Sequence, residues 1–489
     1  MYSGDLMSAP ELQGISLLRY LWRQLTSMRT ALILLLLVGL GSIPGSVFPQ
    51  RTQSPLKVRE YFENNPSGAK LMDRFYLFDV YGSPWFSAMY ILLFISLIGC
   101  VVPRSWHYFR EIFKAPTPAP SSLESMDGFQ VVDGKISDAE SWLKAHRFRI
   151  ARDGKSIAAE KGYLRETGNL VFHLSLIVVL LGIAGSSVYG MRGEAIINVG
   201  ERFINTPTSY DNLAPGRFFK IANLPPFTIK ADNFDATYDP ETNAPLDYEL
   251  TVTTQDGIDA PAVKRTVKVN EPLTFGSTRV YLQANGYSPL VTVKDKSGAV
   301  KFEGPVPFLP QDANLTSIGA IKVPDMDPQI GFVGSFLPTA ARDKVRGGFS
   351  SFPELLDPRL LVSVWKGDLK MDTGVPQSVY RINTDEMERI GLWALRIGET
   401  YQFEVGSITF NGVIPWVNLQ VVRDPGKQYA LIGSILAIIG LMISLFIRQR
   451  RIWVREVNGK LEIAGLALNR LPGLEDEINQ MVNDVKGEK

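Results

Sequence analysis

The sequence predicts a polytopic membrane protein: four transmembrane α-helices, a large extracytoplasmic all-β domain and a small cytoplasmic α+β module. Three observations predict this fold class. Four apolar stretches, each about 20 residues long and so able to cross a bilayer as a helix, interrupt a polar chain of 489 residues. Basic residues flank alternate ends of these stretches. Short strand patterns separated by turn residues fill the long interval between the third and fourth stretches. A mean hydropathy of +0.03 hides this contrast.

The apolar segments define the predicted organisation of the chain, in which cytoplasmic and extracytoplasmic parts alternate. The predicted parts are a cytoplasmic N-terminal arm (1–29), a first span (30–48), an extracytoplasmic loop (49–83), a second span (84–102), a cytoplasmic loop carrying the α+β module (103–167), a third span (168–188), the extracytoplasmic β-rich domain (189–428), a fourth span (429–447) and a cytoplasmic tail (448–489).

The basic flanks predict the orientation. Arg19, Arg23 and Arg29 precede the first span, and Arg448-Gln-Arg-Arg451 follows the fourth. The loop after the second span is also rich in arginine and lysine. Because an excess of these residues marks cytoplasmic loops, we expect a multi-pass protein of the plasma (cell) membrane with both termini in the cytoplasm. The first span lies too far from the N-terminus to be a simple cleaved signal.

Composition excludes several classes of function. A formal net charge of +1 gives no bulk field that would attract nucleic acid. The single cysteine, Cys100, allows neither a disulfide framework nor a Cys-x-x-Cys pair. The β-rich domain (189–428) contains no histidine or cysteine, which excludes a Ser-His-Asp or Cys-His site there. It equally excludes a metal site built on those residues.

A small folded unit is predicted in the loop between the second and third spans. A capping box formed by Ser137 and Glu140 predicts a helix that runs to about His146. Strands are expected at Phe129–Val132, Phe148–Ala151 and Ile157–Glu160, the last two forming a hairpin around Asp153-Gly154. The module is therefore expected to be β-α-β-β, too small to suggest catalysis.

The outer domain is expected to be a β-sandwich or a barrel-like fold, because short alternating strands are separated by turn residues. The predicted strands are Phe227–Phe234, Tyr248–Thr254, Val263–Val269, Leu290–Lys294, Ala299–Phe302, Leu360–Lys366, Tyr401–Val405, Ile408–Phe410 and Val417–Val422.

His173 in the third span is the main candidate site residue, because an ionisable residue inside a spanning helix marks a functional site by default. A neutral imidazole is a good axial ligand for haem iron. The alternative is a histidine hydrogen-bonded to a neighbouring helix. Asn169 lies one turn before His173 on the same face and is a weaker candidate, which could orient the imidazole or only satisfy carbonyl groups at the helix end. Arg165, about two turns before, could pair with a haem propionate or only anchor the helix.

Several stretches resemble one family. They are Thr26–Leu34 with Ile43-Pro-Gly-Ser46 and Pro49-Gln-Arg51, Phe78–Phe86 with Ile98–Arg104, Gly162–His173 and Asp424-Pro-Gly426. In this order they resemble the ResB family of system II cytochrome c biogenesis. The resemblance covers essentially the whole chain, including the four-helix layout with a large outer domain before the last helix.

The resemblance implies a function and a set of partners. It implies an assembly factor that helps hold and deliver haem b, as a transient transported substrate, and presents apocytochrome c for covalent haem attachment. The implied partners are a CcsA/ResC-type membrane protein and apocytochrome c, with thiol-reducing factors as further candidates, in a lipid membrane and without nucleic acid. The family's membrane histidine maps onto His173, which makes it the implied ligand of haem iron. No catalytic residue and no independent enzymatic activity are predicted.

Two alternatives belong to other classes. The size of the outer domain beside only four helices also suits a membrane receptor or sensor that binds a ligand in its β-domain. An autonomous transporter fits less well, because the sequence has neither inverted repeats nor broken-helix signals.

Overall fold

The computed structural model describes residues 14–51, 53–112, 114–343, 347–371, 378–467 and 473–486. The chain divides into two compact units. The first unit is Met1–Ala184 with Gly426–Lys489, and the second unit is Gly185–Pro425.

The helices of the described residues belong mainly to the first unit. They are α1 (Ile15–Leu25), α2 (Met28–Val47), α3 (Pro55–Asn64), α4 (Pro66–Arg74), α5 (Pro84–Glu111), α6 (Ile136–Ala145), α7 (Leu164–Tyr189), α8 (Lys427–Phe446) and α9 (Leu474–Lys486). Four of these, α2, α5, α7 and α8, are long and apolar enough to cross a membrane. The prediction of four spans is therefore confirmed within the described residues. Helices α5 and α7 continue beyond the apolar stretches that the sequence marks.

The starts of the first two spans are capped by serine. Ser27 accepts a hydrogen bond from the backbone N–H of Thr30 at 3.2 Å before α2. Ser83 accepts one from the N–H of Phe86 at 3.2 Å before α5, where Pro84 occupies the first turn. Each hydroxyl satisfies one of the orphan N–H groups at a helix N-terminus. The predicted N-terminal arm (1–29) also contains α1, whose leucines and tryptophan fall on one side.

The strands of the described residues follow in chain order. They are β1 (Asp127–Val132), β2 (Arg149–Asp153), β3 (Ser156–Lys161), β4 (Met191–Asn198), β5 (Arg202–Ile204), β6 (Asn212–Pro215), β7 (Phe227–Tyr238), β8 (Pro245–Asp256), β9 (Val263–Lys268), β10 (Leu273–Phe275), β11 (Thr278–Asp295), β12 (Val300–Pro305), β13 (Leu309–Pro310), β14 (Ser317–Val323), β15 (Ile330–Leu337), β16 (Ala340–Asp343), β17 (Gly347–Ser350), β18 (Arg359–Lys366), β19 (Glu388–Leu395), β20 (Thr400–Phe403), β21 (Gly406–Arg423), β22 (Arg450–Val457) and β23 (Lys460–Ala467).

The small α+β module is completed by the C-terminal residues. Its antiparallel sheet has the order β1-β23-β22-β3-β2, so two strands after α8 lie between strands of the loop before α7. Helices α6 and α9 cover one face, with Leu143, Ile157, Ile452, Ile463 and Ile478 fully buried between them and the sheet. The module is therefore larger than predicted, since the sequence analysis ended it at residue 167 and left 448–489 as a tail.

A buried carboxylate connects the two parts of this sheet. Glu160 on β3 is 5% exposed and pairs with Arg149 at 3.1 Å and with Arg451 at 3.5 Å. Gln449 donates a hydrogen bond from Nε2 to Glu160 Oε1 at 2.6 Å. A buried charge is tolerated only when it is paired and hydrogen-bonded, so these contacts favour the observed register of β3 and β22.

The predicted capping box in this module is wrong. Helix α6 begins at Ile136, and its N-cap is Lys135. The Ser137 hydroxyl instead donates to Asp138 Oδ1 at 3.2 Å within the first turn. The helix starts earlier than predicted because Lys135 is the last extended residue before it. Ser137 therefore lies inside the helix.

The second unit contains two β-sandwich cores that share a pair of long strands. Strands β11 and β21 pair from Thr278↔Arg423 to Asp295↔Gly406. One end of this pair packs with the sheet β5-β7-β8-β9, around the stacked rings of Phe227 and Phe275. The other end packs with the sheet β13-β14-β15-β18-β19, around Phe332, Phe336 and Phe410. The predicted sandwich thus takes the form of two cores.

Several predicted strands belong to longer ones. Ile408–Phe410 and Val417–Val422 are both parts of β21, and Leu290–Lys294 is the end of β11. The residues between the two predicted segments of β21 include Asn411, Gly412 and Pro415, which interrupt the alternating pattern without breaking the ladder. Strand β21 continues through Pro415 because the pairing register with β11 shifts only between Leu290 and Val291 and between Leu282 and Ala284.

Candidate functional site

Three spanning helices of the first unit, α2, α5 and α7, line a cavity of about 490 Å³. Its volume is in the range of small-molecule and cofactor sites. The lining residues recur every three or four positions, so each helix contributes one face. They are Met28, Ala31, Leu32 and Leu35 on α2, Leu93, Leu97, Cys100, Val101 and Arg104 on α5, and Asn169, Leu170, Phe172, His173, Leu176, Val179 and Leu180 on α7.

His173 is the one histidine among the described residues that line this wall. Its ring is half-buried and lies edge-on to the Phe172 ring, with 5.1 Å between centroids. The Nδ1 atom is enclosed and has no hydrogen-bond partner among the described residues. Leaving a buried polar atom unsatisfied costs about 1–3 kcal/mol. The alternative interpretation, a histidine bonded to a neighbouring helix, finds no support in these contacts.

The two weaker candidates lie in different places. Asn169 lines the cavity one turn before His173, as its spacing predicts. No hydrogen bond joins its amide to His173 in the described part of the chain, so its second-shell role stays a prediction. Arg165 lies in the first turn of α7 and is not among the residues that line the cavity. Its contact with a propionate also stays a prediction.

Arg104 is a cavity residue to which the sequence analysis gave only an orienting role. It lies four residues after Cys100 and seven after Leu97, and this spacing puts all three on one face of α5. Its Nη1 atom approaches Met28 Sδ of α2 at 3.9 Å. The sequence signal that could have placed Arg104 on the cavity wall is its helical spacing from Leu97. It was not used because Arg104 follows Pro103, beyond the predicted end of the span.

The other two histidines lie outside the cavity. His107 is an exposed residue of α5. His146 stacks on Trp142 with 3.7 Å between ring centroids, and its Nδ1 lies 2.9 Å from the Trp142 carbonyl oxygen at the end of α6. His146 therefore lies at the C-terminus of α6, beside one of its last carbonyl groups.

The opposite face of α7 packs closely on α8. Glycines bring the two backbones together. A Cβ added at Gly168 would lie 2.7 Å from the Gly440 carbonyl oxygen, and a Cβ added at Gly433 would lie 3.0 Å from the Ser175 carbonyl oxygen. The contact at Gly433 is repeated one heptad later at Gly440. His173 is five residues from Gly168, or about 140° around the helix. Helix α8 therefore supports α7 without covering the histidine.

The cavity residues fit a haem better than a bare metal ion. Among the described residues, no group of three or more histidine, cysteine, aspartate or glutamate side chains could hold a metal ion. A haem iron already has four porphyrin nitrogens and needs only axial ligands from protein. A single imidazole on an apolar wall, with one cation nearby, matches the donors that such a group requires.

The comparison with known families decides which family this chain represents. The model of the ResB-like family matches residues 28–479, which is nearly the whole chain. The chain belongs to the ResB-like family. The matched region of this ResB-like protein begins at Met28, the first cavity residue of α2, and ends within α9. It therefore includes the complete cavity wall and all five strands of the sheet of the α+β module. This is the shared sheet, to which the loop before α7 and the residues after α8 both contribute strands.

Similar proteins share the full length of this ResB-like chain at low identity. The cytochrome c biogenesis protein CcsB of Synechococcus sp. (strain RCC307) is 26% identical, over 94% of each chain. CcsB of Picosynechococcus sp. is 22% identical, over 98% of this chain and 95% of the relative. The cytochrome c biogenesis protein Ccs1 of Pyropia yezoensis is 22% identical, over 94% of each chain.

The cavity of the ResB-like protein is only partly closed by its own helices. Leu32 and Leu35 on the α2 wall are 64% and 57% exposed, although both line the cavity. Apolar side chains that remain this exposed on a spanning helix face either lipid or another helix. The protein is a membrane protein, so this side is where a further spanning helix or lipid completes the wall.

Proposed function

We propose that this protein is a membrane subunit of system II cytochrome c biogenesis that holds haem at His173 and presents apocytochrome c for covalent haem attachment. The observation that carries the proposal is the enclosed, unpartnered Nδ1 of His173 on the wall of an apolar cavity. Family membership and the relatives called cytochrome c biogenesis proteins support the biological process. Haem b is the transported substrate, bound transiently.

The shared sheet supports the proposed orientation. Strands from the loop before α7 and strands after α8 belong to one sheet, so both segments lie on the same side of the membrane. The basic residues of both segments favour the cytoplasm as that side. Both termini are then cytoplasmic, and the β-rich residues between α7 and α8 are extracytoplasmic.

The cavity residues have separate roles in this proposal. His173 offers an imidazole nitrogen to the iron, which supplies the redox-active and ligand-binding centre of the bound haem. The leucines and Phe172 exclude water and pack on the porphyrin faces. Asn169 lies on the same face and orients the imidazole. The open side at Leu32 and Leu35 is where a CcsA/ResC-type partner supplies the rest of the wall and a second axial ligand.

Thioether formation is assigned to the complex and not to this chain alone. The second unit has no histidine or cysteine in its sequence, so its proposed role is to hold apocytochrome c. Reduction of the apocytochrome cysteines belongs to separate thiol-reducing factors. Thioether formation by the purified chain without a partner would contradict this division of labour.

The test is an absorption spectrum of the full chain purified with its membrane partner, wild type beside His173→Ala. The Soret band is expected to weaken or shift in the variant and to recover partly when imidazole is added. The matched control is His107→Ala, which removes an exposed histidine outside the cavity and should leave the band unchanged. Equal haem in wild type and His173→Ala would remove His173 as a ligand. No haem in either, with the complex intact, would favour a receptor or sensor.

A further inference from the structure

Arg104 is a charged residue on an apolar wall, and no ion pair accounts for it. Among the described residues, no carboxylate lies within salt-bridge distance of its guanidinium. The contact observed there is the weak one from Nη1 to Met28 Sδ at 3.9 Å. An arginine stays charged at any physiological pH, and Arg104 is exposed, so its guanidinium is accessible to an anionic ligand. Arg104 is also the one cation among the cavity residues.

The position of Arg104 relative to His173 is defined by the ends of their helices. Helices α5 and α7 are joined by a hydrogen bond from the Tyr108 hydroxyl to the Tyr163 carbonyl oxygen at 3.1 Å. Arg104 is four residues from Tyr108, and His173 is ten residues from Tyr163. At 1.5 Å per residue, Arg104 therefore lies roughly 9 Å closer to the α+β module than His173, measured along the helices.

This arrangement suits a rigid ligand with two different ends. A porphyrin carries iron at its centre and its propionate carboxylates along one edge. An iron at His173 leaves that edge free to face the module end of the cavity, where Arg104 lies. A lipid phosphate would pair with Arg104 but would leave the Nδ1 of His173 without any role. The geometry therefore favours a porphyrin carboxylate over a lipid headgroup.

We propose that Arg104 binds a carboxylate of the ligand that occupies this cavity, and so selects an anionic porphyrin and fixes its orientation. The inference rests on the proposed function, since it assigns the carboxylate to a haem propionate. Arginine is suited to this role because its planar guanidinium can bind a carboxylate through two parallel hydrogen bonds. Arg104 is thus a specificity-determining residue for a cavity in which His173 is the iron ligand.

The test compares a porphyrin that carries two propionate charges with its methyl ester, which lacks both charges. The full chain with its membrane partner, in phosphatidylcholine nanodiscs, is titrated with ferric protoporphyrin IX and with its dimethyl ester, followed by the Soret band. Wild type is expected to bind the diacid about tenfold more tightly, the effect of one charge-assisted hydrogen bond. Arg104→Met should abolish this preference without changing the ester affinity, and Arg104→Lys should retain part of it.

A matched control is available on the same helix. Arg110 stacks on the ring of Trp106, with the guanidinium carbon 5.1 Å from its centroid, and does not line the cavity. Arg110→Met removes an equal charge and should keep the preference for the diacid. If Arg110→Met lost the preference as Arg104→Met does, the effect would be one of general charge and the inference would fail.

Other outcomes separate this inference from the proposed function. Equal wild-type affinities for diacid and ester would overturn the role of Arg104 and leave His173 as a ligand. An equal loss of both ligands in Arg104→Met would make Arg104 a structural residue. If phosphatidylglycerol displaces both porphyrins from wild type but not from Arg104→Met, the bound anion is a lipid phosphate. If neither porphyrin binds wild type, the proposed function itself fails.

Discussion

Trp453 donates a hydrogen bond from its indole nitrogen to the Thr117 carbonyl oxygen at 3.0 Å. Trp453 belongs to β22, after the last span, whereas Thr117 lies in the proline-rich linker that follows α5. Arg455 of the same strand donates to the Ser121 carbonyl oxygen at 3.1 Å. The C-terminal residues therefore hold the linker against the sheet as well as completing the sheet itself.

Replacing Trp453 by alanine should destabilise the α+β module. Trp453 is 3% exposed, and truncation of a buried tryptophan costs about 3–5 kcal/mol through lost burial and a residual cavity. The Thr117 carbonyl also loses its partner. Limited proteolysis of the full chain should show faster cleavage between residues 114 and 167. Lys460→Ala, which removes a 58% exposed side chain from the same sheet, is the control and should change nothing.

The membrane topology can be measured by cysteine labelling in a Cys100→Ser background. We expect Lys155→Cys and Lys460→Cys to react with an impermeant maleimide from the cytoplasmic face, because Lys155 lies in the turn between β2 and β3 and Lys460 begins β23 of the same sheet. Lys296→Cys, in an exposed turn of the second unit, should react from the opposite face. Labelling of Lys155→Cys and Lys460→Cys from different faces would contradict the shared sheet. Labelling of all three from one face would contradict the proposed orientation.

Gly440→Ala should separate α7 from α8. The added Cβ would lie 2.5 Å from the backbone nitrogen of Phe172, which cannot move without the helix. Overpacking of this kind typically costs about 1–3 kcal/mol. The thermal midpoint of the purified chain should fall. Because Phe172 directly precedes His173, the Soret band should also weaken.

Gly39→Ala is the matched control for that change. It makes the same substitution in α2, where an added Cβ meets nothing within 4 Å. Alanine has the higher helix propensity, so the midpoint should stay level or rise slightly. A Gly440→Ala protein as stable as wild type would show that the α7–α8 contact is looser than these distances indicate.

Trp416→Ala should destabilise the β-rich second unit by about 3–5 kcal/mol. Trp416 is 2% exposed, and its indole nitrogen donates to the carbonyl oxygens of Tyr287 and Phe308 at 3.2 and 3.1 Å. These contacts lie where the two sandwich cores meet on β11 and β21. Denaturant unfolding followed by tryptophan fluorescence measures the change.

Trp393→Ala is the control for the second unit. Trp393 is 52% exposed and only stacks on Tyr401, with 5.2 Å between ring centroids. Its removal should cost about 0.5–1.5 kcal/mol, the contribution of one aromatic pair, which is well below the loss expected for Trp416→Ala. Comparable losses in the two variants would show that Trp416 is not a central packing residue.

The spans could be predicted from the sequence because their signal is local. A run of apolar residues between Met28 and Val47, for example, identifies a spanning helix without reference to any other part of the chain. The capping box at Ser137 was equally local but misplaced the N-cap by two residues, since the observed N-cap is Lys135. Local patterns thus define elements well and their ends less well.

The shared sheet could not be predicted in the same way. Strand β3 ends at Lys161 and its partner β22 begins at Arg450, so the pairing joins residues 289 positions apart. Nothing in either strand identifies the other. Arg104 was missed for a related reason, because its basic side chain matches the flanking charge expected after a span. Only the packing of α2, α5 and α7 shows that it lies on the cavity wall.

The two parts of the α+β module are synthesised at different times, because they belong to two distant segments of the chain. Ribosomes make β3 first, then the whole second unit, and only afterwards β22 and β23. At 5–20 residues per second, the roughly 290 intervening residues take about 15–60 s. During this time the edge of β3 is unpaired, and Glu160 lacks Arg451 and Gln449. The α+β module can therefore close only after the second unit and α8 have been made.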